Sequence, residues 1–289
     1  MSGKFYTQAT DRNRESFNKP WLIQFEWNII YACNFRCSYC FFTGKWDEYE
    51  KRNTIMSVSE WMKHWERIHR LYGQCAILLT GGEPFIYPNF AELMHNLVDM
   101  HWPINVSTNA SGDLDRFFEG IDPIRISASL SFHPEFNDLG KIIKKKQSLE
   151  KKGYRFGYIN LCLYPPFVNK LDRWVEQATG EGETLKIIPF MGFYNGKEYP
   201  AAYTAEEKKK LGMDGVWEGN VKKKNQPCAA GMRSALIFPD GKVARCGQIG
   251  ERRLLGSIFD QNFRLLSAPE PCDVELCPCL KVIEADKPE

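Results

Sequence analysis

Three thiols stand within one short stretch, Cys33-Asn34-Phe35-Arg36-Cys37-Ser38-Tyr39-Cys40, at the spacing C-x3-C-x2-C. Closely spaced thiols bind soft metals, and the number of ligands decides what such a metal can do. Structural zinc is closed by four ligands, and an ordinary electron-carrying iron–sulfur cluster also takes four thiolates. Three is one short. A [4Fe–4S] cluster held by Cys33, Cys37 and Cys40 would leave one iron with an open position, the place where a cofactor or substrate binds. A zinc knuckle that borrows a fourth ligand is the alternative. The bland reading, small buried core thiols, suits a lone cysteine better than three interleaved with Asn, Arg and Ser.

Two further groups bear chemistry. Gly81-Gly82-Glu83-Pro84 combines backbone that can approach a ligand closely with a carboxylate that Pro84 biases toward an extended conformation, an arrangement able to meet an ammonium. Near the end, Cys228, Cys246, Cys272, Cys277 and Cys279 put five thiols in 52 residues. Such a small, loop-rich segment can hardly bury a core alone, so a metal staple is expected there.

The elements that position these groups follow from periodicity. In the first strand Gln24, Glu26 and Asn28 share one face and Ile23, Phe25, Trp27 and Ile29 the other. A helix over 57–72 opens with the capping box Ser57/Glu60. Strands over 75–80, 103–108, 124–131, 154–163 and 184–190 alternate with helices over 89–100, 113–119, 135–152 and 169–179. Six strands in βα alternation predict an α/β fold with a parallel sheet. Polar residues recur on one face of it: Asn105, Ser107 and Asn109; Ser127, Ser129 and Ser131; Tyr158, Asn160 and Cys162. Helix-covered faces are apolar, so this stripe is expected to line the inside, around a polar ligand unless the side chains satisfy one another or buried water. After residue 190 the rhythm stops. A hairpin over 233–238 and 242–245, turned by Pro239-Asp240-Gly241, lies between Cys228 and Cys246. The expected organisation is a polar lead-in over 1–20, a strand–helix domain over 21–195, and a linker with a cysteine-rich domain over 196–289.

Composition sets outer bounds. With 289 residues, 43% hydrophobic and 26% charged, the chain can bury a sizeable core. Ten cysteines are too few for a disulfide scaffold of this length, and no signal pattern is visible, so a cytoplasmic protein with reduced thiols is expected. A net charge of +2 gives no bulk attraction to nucleic acid or membrane; the lysine runs at 144–146, 208–210 and 222–224 read as solvated faces.

The cysteine stretch, with Gly81–Pro84 after the second strand, resembles the radical S-adenosylmethionine (radical SAM) superfamily. The resemblance covers about residues 22–279. It implies a partial (β/α)6 barrel, a [4Fe–4S] cluster whose open iron is chelated by SAM, and reductive cleavage of SAM to a 5′-deoxyadenosyl radical that takes a hydrogen from substrate. By the same resemblance Tyr39 lies near the adenine, Gly81, Gly82, Glu83 and Pro84 meet the methionyl amino group, and Asn109, Ser127, Ser129 and Asn160 are cofactor-binding positions. The C-terminal segment resembles the SPASM extension or its shorter twitch form, implying one auxiliary [4Fe–4S] cluster on Cys228, Cys246, Cys272 and either Cys277 or Cys279. The family also implies a flavodoxin- or ferredoxin-type electron donor.

The reaction expected on these grounds is a two-electron oxidation of a small polar molecule, a sugar or aminocyclitol, since residues 1–20 are short for the peptide-recognition domain many peptide maturases carry. Tyr158, Asn160, His133 and Arg125 are candidates to bind its hydroxyls. Modification of a ribosomal peptide is the alternative. Epimerisation is a third outcome, with Cys162 returning a hydrogen atom. A non-catalytic zinc or iron–sulfur interaction or electron-transfer module is the reading from a different class.

Overall fold

A computed structural model describes residues 22–211, 221–222 and 224–277. Its centre is one large sheet. Strands β1 (Gln24–Ile30), β2 (Ala76–Gly81), β3 (Ile104–Thr108), β4 (Ile126–Phe132), β6 (Ile159–Leu163) and β7 (Leu185–Pro189) lie side by side in chain order, each pair parallel, with the short β5 (Arg155–Phe156) on β4. The helices between them are α1 (Trp46–Glu50), α2 (Val58–Tyr72), α3 (Phe90–Leu97), α4 (Leu114–Phe118), α5 (Leu139–Lys151) and α6 (Leu171–Gly180). The chain is therefore a mixed α/β fold on a parallel sheet. Among the described residues no helix is long and apolar enough to cross a membrane.

Local sequence explains most boundaries. Ser57 and Glu60 form the expected box at the start of α2. Trp61 and Trp65 of that helix are buried against Phe25 and Trp27 of β1 in edge-on and tilted pairs, a large apolar contact area. Three expectations shift. The strand over 154–163 is broken at Gly157-Tyr158 into β5 and β6. The helix expected from 135 begins at Leu139, because the Asp138 side chain caps it by accepting from Lys141 N–H. A short helix at Trp46–Glu50 was not foreseen.

The hairpin forms as read, with β8 (Ser234–Ile237) antiparallel to β9 (Lys242–Ala244). It does not stand apart: β8 pairs parallel to β1, Gln24 opposite Ser234, and β10 (Leu254–Ser257) extends the sheet beyond β9. Arg52 locks the hairpin turn to the segment after the cysteines, 3.0 Å from Asp240 and 2.5 Å from Glu251.

The tightest seam is where β2 ends. Gly82 N–H donates to Ile30 O at 2.6 Å and Glu83 N–H to Ala32 O at 2.9 Å. A Cβ on Gly82 would lie 1.9 Å from the Ala32 carbonyl oxygen, and one on Gly81, where φ is +124°, 2.2 Å from that of Ile30. Gly82→Ala is therefore expected to destabilise the fold by roughly 3 kcal/mol, read by urea denaturation, whereas Gly180→Ala, with nothing within 4 Å of the new Cβ, should lie within about 0.5 kcal/mol of the parent.

Candidate active site

The carboxyl ends of β1, β2, β3 and β4 bring four loops together. The cysteine loop leaves β1 and turns on backbone bonds from Cys40 N–H to Cys37 O and from Thr43 N–H to Cys40 O, both 3.0 Å. Arg36 fastens it from outside, donating to Cys33 O, pairing with Glu50 at 2.7 Å and lying 4.3 Å over the Trp46 ring. The unforeseen helix α1 thus supplies the loop's outer support.

Glu83 is the internal fastening. Its side chain is buried, and its carboxylate accepts from Thr108 Oγ1 at 2.7 Å, Asn109 N–H at 2.7 Å and Phe85 N–H at 3.1 Å. Burial raises its pKa and these three bonds oppose the rise. A carboxylate offers about four lone-pair sites, so one stays open to a further donor. The pair of glycines, read from the sequence as room for a ligand, instead lets the turn close on the backbone of Ile30 and Ala32.

Asn109 joins three loops. Its side chain donates to Asn34 Oδ1 at 2.9 Å and lies 3.9 Å from Cys33 Sγ, and its carbonyl accepts from Asn137 Nδ2 at 3.0 Å. From the loop after β4, Glu135 accepts from the Ser38 N–H at 2.8 Å and from its hydroxyl. His133 Nδ1 lies 3.5 Å from Cys37 Sγ and 3.1 Å from the Tyr39 hydroxyl. Tyr39 is buried among Tyr164, Phe167 and His133.

The thiols themselves are close neighbours. Burial raises the pKa of Cys33, Cys37 and Cys40, Cys37 to about 12; Cys40 raises Cys33 and Cys37 further, and the Phe35 N–H lowers Cys33. Burial likewise pushes Cys162 on β6 up to about 12, with Cys40 adding to the rise. Among the described residues no three His, Cys, Asp or Glu side chains converge, as they stand, closely enough to hold a metal ion. The donor set nevertheless fits a thiophilic cluster in kind and number: three thiols on one loop, near enough to feel each other's charge.

The polar stripe is present and in register, Asn105 opposite Ser127, Ser107 opposite Ser129 and Ser131 opposite Asn160. Part of it is self-satisfied. Asn105 Nδ2 donates to Ser127 Oγ and Ser129 Oγ donates to Asn105 Oδ1, both at 2.9 Å, so these serines hold the sheet's own asparagine. Arg125 is a correction. It precedes β4 at the opposite end of the sheet, 3.2 Å from both Val98 O and the Asp99 carboxylate, and cannot share a ligand with the cysteine loop. Glu26, read from the sequence only as a face marker, is a carboxyl whose pKa burial raises; a Cβ built on Gly247 would lie 3.8 Å from its Oε2.

The second group of thiols gathers too. Cys228 and Cys272 are buried in one small cluster with Ala230, and Cys246 and Val274 pack against it. Cys277 belongs to β11 (Leu276–Cys277), and Cys279 lies outside the described residues. The organiser is Arg245, fully buried beside Cys246. Its guanidinium donates to Ala230 O at 2.9 Å, Cys228 O at 3.0 Å, Pro271 O at 2.7 Å and Glu270 O at 2.5 Å, with the Asp273 carboxylate 3.9 Å away. Only the cysteines, and not this arginine, were singled out from the sequence.

Comparison with known proteins gives this geometry relatives. Residues 27–152 match the model of the Radical SAM superfamily. It is 27% identical over 187 residues to GTP 3′,8-cyclase of Crocosphaera subtropica, covering 58% of this chain and 55% of that protein. It is 25% identical over 272 residues to mycofactocin maturase MftC of Mycolicibacterium smegmatis, covering 82% and 67%. A GTP 3′,8-cyclase of Vibrio atlanticus matches at 30% over 88 residues, 25% of its length, so the chain spans a quarter to about two thirds of the length of these relatives. Among solved structures, anSMEcpe with bound AdoMet superposes with a TM-score of 0.60 at 16% identity, covering 82% of this chain and 75% of that one. Streptococcus suis SuiB bound to the precursor peptide SuiA superposes at 0.59 and 13%, covering 88% and 66%.

Arg245→Met removes a buried donor shared by four carbonyls. It is expected to lower unfolding free energy by about 3 kcal/mol and to speed labelling of Cys228 and Cys272 by a thiol reagent followed by peptide mass spectrometry; unchanged labelling would separate the arginine from the thiols.

Proposed function

We propose that this chain is a radical SAM enzyme that modifies a peptide, with a [4Fe–4S] cluster on Cys33, Cys37 and Cys40 and SAM at the open iron. The observation that carries the reading is the three-thiol loop fastened to the Gly81–Pro84 turn through Glu83, Thr108 and Asn109. Cluster and SAM together would supply one-electron cleavage of a sulfonium and a carbon radical able to take hydrogen from an unactivated C–H bond. The protein's part is to orient: Glu83 keeps one acceptor site for an ammonium, Tyr39 walls the loop with aromatic surface, and the face bearing Asn160 and Cys162 borders the reaction space. A flavodoxin- or ferredoxin-type donor would deliver the electron.

A partial barrel with a twitch-type appendage is the finer architecture this reading carries. Cys228, Cys246 and Cys272, with Cys277 or Cys279, would hold the auxiliary [4Fe–4S] cluster, able to accept the electron left on an oxidised product.

Peptide is preferred to the small sugar or aminocyclitol expected from the sequence. The similarity to a maturase runs through 82% of the chain, and SuiB bound to its precursor peptide supports the same direction; none of the relatives named above carries a sugar or aminocyclitol in its name. In anaerobic reconstitution about eight iron and eight sulfide per chain are expected, with an EPR signal that SAM alters and 5′-deoxyadenosine formation that a Cys33→Ala/Cys37→Ala/Cys40→Ala variant abolishes. Peptides encoded beside the gene should increase 5′-deoxyadenosine and gain a mass change; a response to sugars alone would return the assignment to small molecules, and a colourless protein with stoichiometric zinc would make it an interaction module.

The place of Cys162 on the half-buried face of β6 that it shares with Asn160 favours epimerisation as a second reading. Cys162→Ala should then leave SAM cleavage intact while deuterium from the solvent no longer enters the product; undiminished labelling excludes the thiol as the hydrogen donor.

A further inference from the structure

The loop that follows β4 is built against the cysteine loop. The Phe136 ring stacks on Phe35 with centroids 4.9 Å apart and planes at 15°, Glu135 caps the Ser38 N–H, and the His133 ring lies within 20° of parallel to Tyr39. The main chain that carries the imidazole is held as well. The backbone N–H of His133 donates to Asn137 Oδ1 at 2.7 Å, and Asn137 Nδ2 donates in turn to Ser131 O at 3.2 Å and Asn109 O at 3.0 Å. These fixings bring Nδ1 to 3.5 Å from Cys37 Sγ, with the Tyr39 hydroxyl 3.1 Å from the same nitrogen.

A donor placed on a ligating sulfur matters because reduction adds negative charge to a cluster. Hydrogen bonds to the sulfurs stabilise the reduced state and raise its potential, and outer groups that fix them act through their ligands. We propose that His133 is a positioning residue for the cluster at Cys33, Cys37 and Cys40, donating a hydrogen bond from Nδ1 to the Cys37 sulfur and raising the potential at which that centre takes up its electron. The inference rests on the cluster reading above. It assigns the proton to Nδ1 and makes the loop after β4 an electronic part of the site as well as a mechanical one.

The test is a potentiometric titration of the reconstituted full chain, following the EPR signal that SAM alters. His133→Phe keeps a ring against Tyr39 and Phe35 and removes the donor, so its midpoint should be more negative than the parent's at equal iron content. His133→Asn, whose amide N–H reaches about where Nδ1 sits, should restore it. An unshifted midpoint in His133→Phe, or equal shifts in both variants, overturns the proposal. Should His133→Phe take up no iron, the unsubstituted chain decides: with 15N-labelled histidine, pulsed EPR of the reduced centre should give a weak 15N coupling, and either no coupling or the strong coupling of a directly ligated nitrogen overturns it. A parent chain that binds no iron at these thiols fails the cluster reading itself, before any His133 variant is made.

Discussion

The buried carboxylate of Glu83 is the constraint on which the site depends. A carboxylate removed from water needs its lone pairs occupied, and here the donors come from Phe85, Thr108 and Asn109, on its own turn and on the end of β3. Asn109 passes the constraint on to the cysteine loop through Asn34. The loop's thiols are thereby referred to two strands of the sheet, and their position does not hang on local turn propensity alone. The two glycines serve the same seam, since any side chain there would push the turn off the backbone of β1.

A second buried charge repeats the device at the other thiol group. Arg245 gathers carbonyls from the segments that carry Cys228 and Cys272 and lies next to Cys246 in the chain. Its planar fork suits several fixed acceptors at once, and the neighbouring carboxylates of Glu270 and Asp273 reduce the cost of holding a cation out of water. The C-terminal thiols are thus drawn together by ordinary side-chain and backbone chemistry. Through β8 on β1 and through Arg52 on Asp240 this unit is continuous with the sheet that carries the first cysteine loop.

Several polar candidates have partners that lie far away in the chain. Arg125 has the right chemistry for a hydroxyl-rich ligand, but its place at the start of β4 puts it at the far end of the sheet. Ser127 and Ser129 take the expected face, and there they also bond Asn105 of the adjacent strand. His133 was only one of several polar candidates in the sequence, because nothing local to residues 131–137 says which loop they will meet. In each case the deciding partner is remote in the chain, and periodicity reports which face a residue takes without reporting its neighbour.

The sequence by itself determined the parallel α/β order, the polar stripe and the hairpin, since side-chain period and turn residues are properties of contiguous residues. Only the tertiary structure decided that Glu83 spends three acceptor sites inside the protein, that the hairpin joins the main sheet, that Arg245 organises the late cysteines and that His133 reaches Cys37. Those are contacts between segments brought together by folding, and their energy depends on burial and on donor–acceptor geometry that no single stretch of chain contains.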